Sequence, residues 1–156
     1  DKALFFDILE GRCDGDKTDM IAASIDVKRR VVEADERESG LRMILNFGHT
    51  LGHAIERAGA FTRYSHGRAV AAGMVWAAAV GERMGVTPAG TSDLIKRAVS
   101  RWGLPAEVCE NGAALYDALT ADKKRDGERI RFVLLKDIGE AAVVPLPLAE
   151  LRQYLG

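Results

Sequence analysis

The sequence predicts a mainly α, multi-helix domain with a small β-hairpin near its C-terminus. Apolar residues recur at the three- and four-residue spacing of amphipathic helices in most segments, while alternation with a period of two is scarce. Gly11, Gly40, Gly59 and Gly103 fall where those helical patterns stop. Near the C-terminus the pattern changes to β-branched, apolar runs on either side of Gly139.

The elements follow in order. Ala3, Leu4, Phe5, Ile8 and Leu9 predict a short first helix that stops at Gly11, followed by a polar loop over residues 11–18. A second helix is predicted over residues 19–38, with Ile21, Ile25 and Val32 on its apolar face and Lys28, Arg29 and Arg30 on the other, broken by Gly40. Residues 41–45 are apolar apart from Arg42. Asn46, Phe47 and Gly48 then provide cap chemistry for a helix over residues 49–58. After a loop over residues 61–65, His66 and Gly67 open a helix of small residues reaching Met84, suited to close packing. Thr91 or Ser92 caps a helix to Trp102, with Leu94, Ile95, Ala98 and Trp102 as its core stripe. Residues 113–120 form a further helix, residues 130–136 and 141–144 the two strands, and residues 148–155 a last helix. With no internal repeat, low-complexity tract or linker, one compact unit is expected.

Composition narrows the function classes. Hydrophobic residues make up 47% of the 156 and charged residues 29%, enough apolar material for a core. Twenty-two Lys and Arg against 23 Asp and Glu leave a net charge of −1, so no bulk field attracts nucleic acid or an anionic membrane, and an anion site must be local. The most apolar window, residues 69–81, is about 13 residues long against the roughly 20 that a membrane span needs. Two cysteines, Cys13 and Cys109, are too few for a disulfide scaffold, so a reducing, cytoplasmic setting is expected. A helical pattern that starts at once, behind a first residue that is not Met, predicts a piece of a larger protein.

All three histidines, His49, His53 and His66, fall within 18 positions. On a helix, His49 and His53 are i and i+4 and share a face; His66 follows across a turn at the start of the next helix. Imidazole suits Zn²⁺ and related ions, and a catalytic zinc commonly takes three protein ligands. An isolated i, i+4 pair is more often a satisfied polar cluster in a core, but the neighbours here weigh against that. The metalloprotease pattern requires Glu after the first His, where this chain has Thr50. What remains is a metal site of two histidines plus another group, with Lys28, Glu38, Arg42 and Asn46 around it. If residues 40–53 are largely helical, Arg42, Asn46, His49 and His53 make one polar stripe. Arg beside Asn suits an anionic, hydroxyl-rich substrate, since guanidinium binds carboxylate or phosphate in bidentate fashion.

The run Arg42-Met43-Ile44-Leu45-Asn46-Phe47-Gly48-His49-Thr50-Leu51-Gly52-His53-Ala54-Ile55-Glu56, followed by His66-Gly67-Arg68-Ala69-Val70-Ala71-Ala72-Gly73-Met74, resembles the 3-dehydroquinate synthase family. Asp122-Lys123-Lys124 and the segment from Asp26 to Gly40 extend the likeness over essentially the whole chain, as the family's C-terminal helical domain. The resemblance implies a lyase of the shikimate pathway, leading to aromatic amino acids, that converts 3-deoxy-arabino-heptulosonate 7-phosphate to 3-dehydroquinate and phosphate with NAD and Zn²⁺ or Co²⁺. It implies His49 and His66 as metal ligands, His53 as a proton-transfer group, and Glu38 as an acid/base or orienting carboxylate. Lys28, Arg42 and Asn46 would hold substrate, and Lys123 or Lys124 would reach its phosphate. NAD would be bound by an N-terminal domain absent from this chain, together with a third, Glu ligand to zinc. The chain alone is therefore expected to be inactive, and the parent enzyme to be a homodimer. Arg68 stands where the family usually has Glu; a surface effect, or one exerted behind the ligands, is expected. Other sugar-phosphate cyclases, iron-type alcohol or glycerol dehydrogenases, and a non-catalytic helical domain are the alternatives. Arg42, Asn46 and the Asp-Lys-Lys motif weigh against the dehydrogenases.

Overall fold

The computed structural model describes residues 1–37, 40–123 and 129–155, the side chains of 122 and 123 excepted. Seven α-helices are described, α1 (Lys2–Glu10), α2 (Thr18–Ala34), α3 (His49–Ala58), α4 (His66–Arg83), α5 (Thr91–Arg101), α6 (Gly112–Lys123) and α7 (Leu148–Tyr154), with a 3-10 helix at Leu41–Asn46 and a hairpin of β1 (Arg129–Asp137) and β2 (Glu140–Pro147). The mainly α reading with a C-terminal hairpin is thus what the chain adopts. The strands pair antiparallel with Val133 opposite Val143, and Gly139, at φ 89°, makes the left-handed turn that the sequence placed there.

The core lies where α3, α4, α6, α7 and the hairpin meet. Leu51, Ile55, Ala69, Ala72, Val80, Leu115, Phe132, Leu134 and Leu151 are buried there. A second cluster, with Ala78, Ile95, Val99 and Leu135, joins α4, α5 and β1, and Phe5 and Phe6 of α1 pack against it. The small residues of α4 act as expected. A Cβ on Gly73 would meet the carbonyl oxygen of Gly48 and lie 2.6 Å from the amide nitrogen of Gly52, so α3 and α4 cross backbone to backbone.

Four local expectations change. The second helix ends at Ala34 rather than at residue 38, because the buried Asp35 carboxylate accepts hydrogen bonds from the Gly40 and Arg42 amides (2.9 and 3.0 Å) and turns the chain into the 3-10 helix. Ile21 and Ile25, predicted to face the core, are 52% and 62% exposed. Met20, Val27 and Val31, about 120° further round α2, instead line an apolar cavity with Phe5, Ile8 and Leu45. The α5 start has Gly90 at its cap (φ 86°) instead of Thr91 or Ser92; Glu82 of α4 satisfies the Ser92 amide at 2.7 Å. On α5, Val99 is buried while Leu94 and Trp102 are half-buried, and the Lys17 ammonium sits 5.0 Å over the Trp102 ring. No described helix is long and apolar enough to cross a membrane, and the two cysteines are unpaired.

Candidate metal and substrate site

Three histidines from two helix starts converge. His49 is the first residue of α3, His53 lies one turn further, and His66 is the first residue of α4. The connection between them reverses through Ala60 and Phe61, both in the left-handed region at φ 54° and 57°. The ring centroids are 6.1 Å (His49 to His53), 5.5 Å (His49 to His66) and 5.4 Å (His53 to His66) apart. The α3–α4 crossing sets these distances, since Gly48 and Gly52 flank His49 and Gly73 closes against both.

Glu56 joins the cluster, although the sequence reading gave it no role. Its carboxylate lies 3.0 Å from His53 Nδ1 and 3.2 Å from His66 Nδ1. The Glu56 side chain is 13% exposed, against 64% and 55% for the two histidines. Burial pushes the Glu56 carboxyl up, but hydrogen bonds from His66 and His53 outweigh it and hold the group below the usual range. One ligand atom from each of His53, Glu56 and His66 lies within 4.8 Å of the others. His49 Nδ1 faces the Phe47 carbonyl oxygen at 3.4 Å, an acceptor that calls for an Nδ1–H. Imidazole nitrogens are donors of the kind Zn²⁺ and Co²⁺ take, so the histidine cluster fits such an ion, with the Glu56 carboxylate against the Nδ1 side of His53 and His66.

The polar stripe is not one helix. The 3-10 helix ends at Asn46, and Gly48, at φ 81°, interrupts the run before α3 begins. The residues still meet. Lys28, Arg42, Asn46 and His49 line one cavity of about 440 Å³, and Asn46, His49, His53, Arg57 and Phe61 line another of about 520 Å³. Asn46 and His49 border both. Arg57, likewise unremarked in the sequence, adds a cation to the second cavity, whose wall Ala118 and Leu119 of α6 complete. Glu38 and Lys124 lie outside the described residues, as does the side chain of Lys123, the last residue of α6. Arg68 is exposed and points its guanidinium at the Gly103 carbonyl oxygen (3.4 Å). Asp35 was missed because α2 was expected to run through it. Glu56 had a readable signal, standing three residues after His53, where helical side chains meet.

The chain is similar to known proteins over most of its length. Residues 4–125 match the family described as "3-dehydroquinate synthase C-terminal". The 3-dehydroquinate synthases of Streptococcus sanguinis (strain SK36) and Streptococcus gordonii (strain Challis) are each 44% identical over 137 residues, 87% of this chain. The chain spans only 39% of the length of each. A crystal structure of 2-deoxy-scyllo-inosose synthase with carbaglucose-6-phosphate, NAD⁺ and Co²⁺ aligns with TM-score 0.70 at 26% identity, covering 84% of this chain and 39% of that one. The 2-epi-5-epi-valiolone synthase of Streptomyces hygroscopicus, solved with NAD⁺ and Zn²⁺, aligns with TM-score 0.76 over 98% of this chain and 45% of its own; at 22% identity it speaks for the fold.

Proposed function

Since the chain belongs to the 3-dehydroquinate synthase C-terminal family, we propose that it is the metal- and substrate-binding half of an enzyme that converts 3-deoxy-arabino-heptulosonate 7-phosphate to 3-dehydroquinate and phosphate. The convergence of His49, His53 and His66 beside a cavity lined by Lys28, Arg42 and Asn46 is the observation that carries this reading. NAD and Zn²⁺ or Co²⁺ are its cofactors, NAD held mainly by an N-terminal domain. When bound, they supply reversible hydride acceptance and Lewis-acid polarisation of a ring oxygen.

The residues of this chain divide the remaining work. His49 and His66 hold the ion. His53, on the same face of α3 as His49, moves a proton to or from the substrate. The Arg42 guanidinium pairs with the substrate carboxylate, Lys28 adds a second positive charge across the same cavity, and Asn46 serves ring hydroxyls from between the two cavities. Lys123 or Lys124 neutralises the leaving phosphate, and Glu38 acts as an acid/base or orienting carboxylate. The parent enzyme works as a cytoplasmic homodimer, a setting consistent with two unpaired cysteines. Nothing in the charge balance favours a nucleic acid or a membrane as partner.

The test is phosphate release from the heptulosonate phosphate by the full-length protein. Release is expected to need NAD and a divalent ion and to fall by about 10²-fold or more in His49→Ala or His66→Ala. Undiminished release by both variants would overturn the ligand assignment. Turnover of glucose 6-phosphate in place of the heptulosonate would move the protein to a different sugar-phosphate cyclase.

A further inference from the structure

We infer that Glu56 is a positioning residue which, by accepting Nδ1–H hydrogen bonds from both His53 and His66, fixes the tautomer and orientation of the two rings and reserves Nε2 of each for the ion or the substrate. The inference rests on the proposed role of His66 as a metal ligand and of His53 as a proton carrier. It concerns how those two rings are held.

Position is the first argument. Glu56 sits three residues after His53 on α3, so the two side chains meet on one helix face. His66 comes from the next helix, ten residues later, and reaches the same carboxylate. One acidic group therefore ties together two rings that the α3–α4 connection delivers independently.

Chemistry is the second. A carboxylate accepts and does not donate, and its two oxygens offer enough lone pairs for both rings at once. At 3.0 and 3.2 Å, the facing nitrogens lie at hydrogen-bond distance and must carry protons if the rings are neutral. That leaves Nε2 unprotonated on each ring, the state needed to ligate a cation or to take up a proton. Glutamine could not replace it, because its single carbonyl oxygen is flanked by an NH₂ that would oppose a second Nδ1–H.

Exposure is the third. The histidine side chains are more than half exposed while the Glu56 side chain is 13% exposed. The anchor is therefore held by packing and the rings by the anchor, an arrangement in which partners behind the ligands tune metal affinity.

The experiment uses the 156-residue chain with ¹⁵N-labelled histidine, free of metal, at a pH where the rings are neutral, together with Glu56→Gln and Glu56→Asp, all checked for folding by circular dichroism. Long-range ¹H–¹⁵N correlations are expected to show His53 and His66 as Nδ1–H tautomers in the parent chain. In Glu56→Gln at least one ring is expected to switch to Nε2–H, and in Glu56→Asp, which keeps the carboxylate, at least one is expected to stay Nδ1–H. Zn²⁺ titration by calorimetry is expected to show a loss of about 10- to 100-fold in affinity for Glu56→Gln, with partial recovery in Glu56→Asp. Unchanged tautomers in Glu56→Gln would overturn the inference, whatever the zinc affinity. A parent chain that shows the tautomer switch but binds no zinc leaves the positioning role standing, and the metal reading then falls only if the full-length protein releases phosphate without a divalent ion. If Glu56→Gln does not fold, Glu56→Ala takes its place, and Nδ1–H kept on both of its rings overturns the inference.

Discussion

Glu110 is an acidic residue turned inward, 8% exposed, and shares its carboxylate between the Arg63 guanidinium (2.9 Å) and the Tyr64 hydroxyl (3.2 Å). The Cys109 amide donates to the same phenol oxygen at 3.2 Å. These bonds clamp the segment that delivers His66 against the approach to α6. The Cys109 amide pulls the Tyr64 pKa down, burial and the Glu110 carboxylate push it up, and the net direction is upward. A raised folded-state pKa means the neutral phenol is favoured in the fold. Its stabilisation is therefore fully present below the ordinary tyrosine value near pH 10 and is lost as pH rises through the higher folded value. Urea denaturation between about pH 9 and pH 11 is expected to show a fall in stability that Tyr64→Phe reduces; a variant as pH-sensitive as the parent would contradict the assignment. Glu110→Ala is expected to cost about 1–3 kcal/mol at neutral pH, less than a fully buried ion pair would, because Arg63 remains 54% exposed. The sequence made some of these residues legible and hid others. His49, His53 and His66 declare themselves because their grouping is local in the chain. The partners of Glu110 lie more than 40 positions away, and no periodicity connects them.

Helices α3 and α4 are held together by the absence of side chains. A Cβ at Gly73 would strike the backbone of Gly48 and Gly52, neither of which can rotate away, and one at Gly48 would meet Met74 and the Val70 carbonyl while forcing φ 81° on a side-chain-bearing residue. Gly73→Ala is therefore expected to destabilise by about 2 kcal/mol or more in urea and to lower zinc affinity along with it, because separating the helices separates His49 from His66. An alanine variant of parental stability would show that this contact is looser than described. The 3-10 helix depends on a different device. Asp35 accepts from the Gly40 and Arg42 amides, fixing the segment that carries Arg42 and Asn46. Asp35→Ala is expected to cost about 1–2 kcal/mol, and calorimetric titration with inorganic phosphate should show weaker binding than in the parent chain, as Arg42 loses its fixed backbone. Reading residues 40–53 as helix grouped the correct polar residues for a partly mistaken reason. The 3-10 turn and Gly48 break the helical period, and Arg42, Asn46 and His49 meet through the fold around Asp35.

Across the whole molecule, stability is unevenly distributed, and the site straddles the boundary. Leu51, Ile55, Ala69, Ala72, Val80, Phe132 and Leu134 unite α3, α4 and β1 in one dense core. Helix α2 contributes no buried residue, packs chiefly on the 3-10 helix, and leaves Ile21 and Ile25 exposed. The helical periods, the stops at Gly11 and Gly59 and the hairpin were legible because each is written within a dozen residues. The stop placed at Gly40 came too late because Asp35 ends α2 first. Which of the two apolar faces of α2 turns inward was not, since helical spacing makes the Ile21, Ile25 face and the Met20, Val27, Val31 face equally plausible and only tertiary packing chooses. The two histidine helices thus belong to the rigid part of the molecule, while Lys28 belongs to the part with least to hold it. Amide exchange of the native chain is expected to reflect this, with α2 opening at a lower free energy than α3, α4 and β1 and exchanging well before them. Lys28 and Arg42 face one cavity from the two sides of that boundary, so an anion bound between them links α2 to the core. Saturating inorganic phosphate is therefore expected to slow exchange in α2 selectively, by the factor 1 + [phosphate]/Kd that mass action gives, and Lys28→Ala should abolish the slowing. Equal slowing in every helix would instead place the anion away from Lys28.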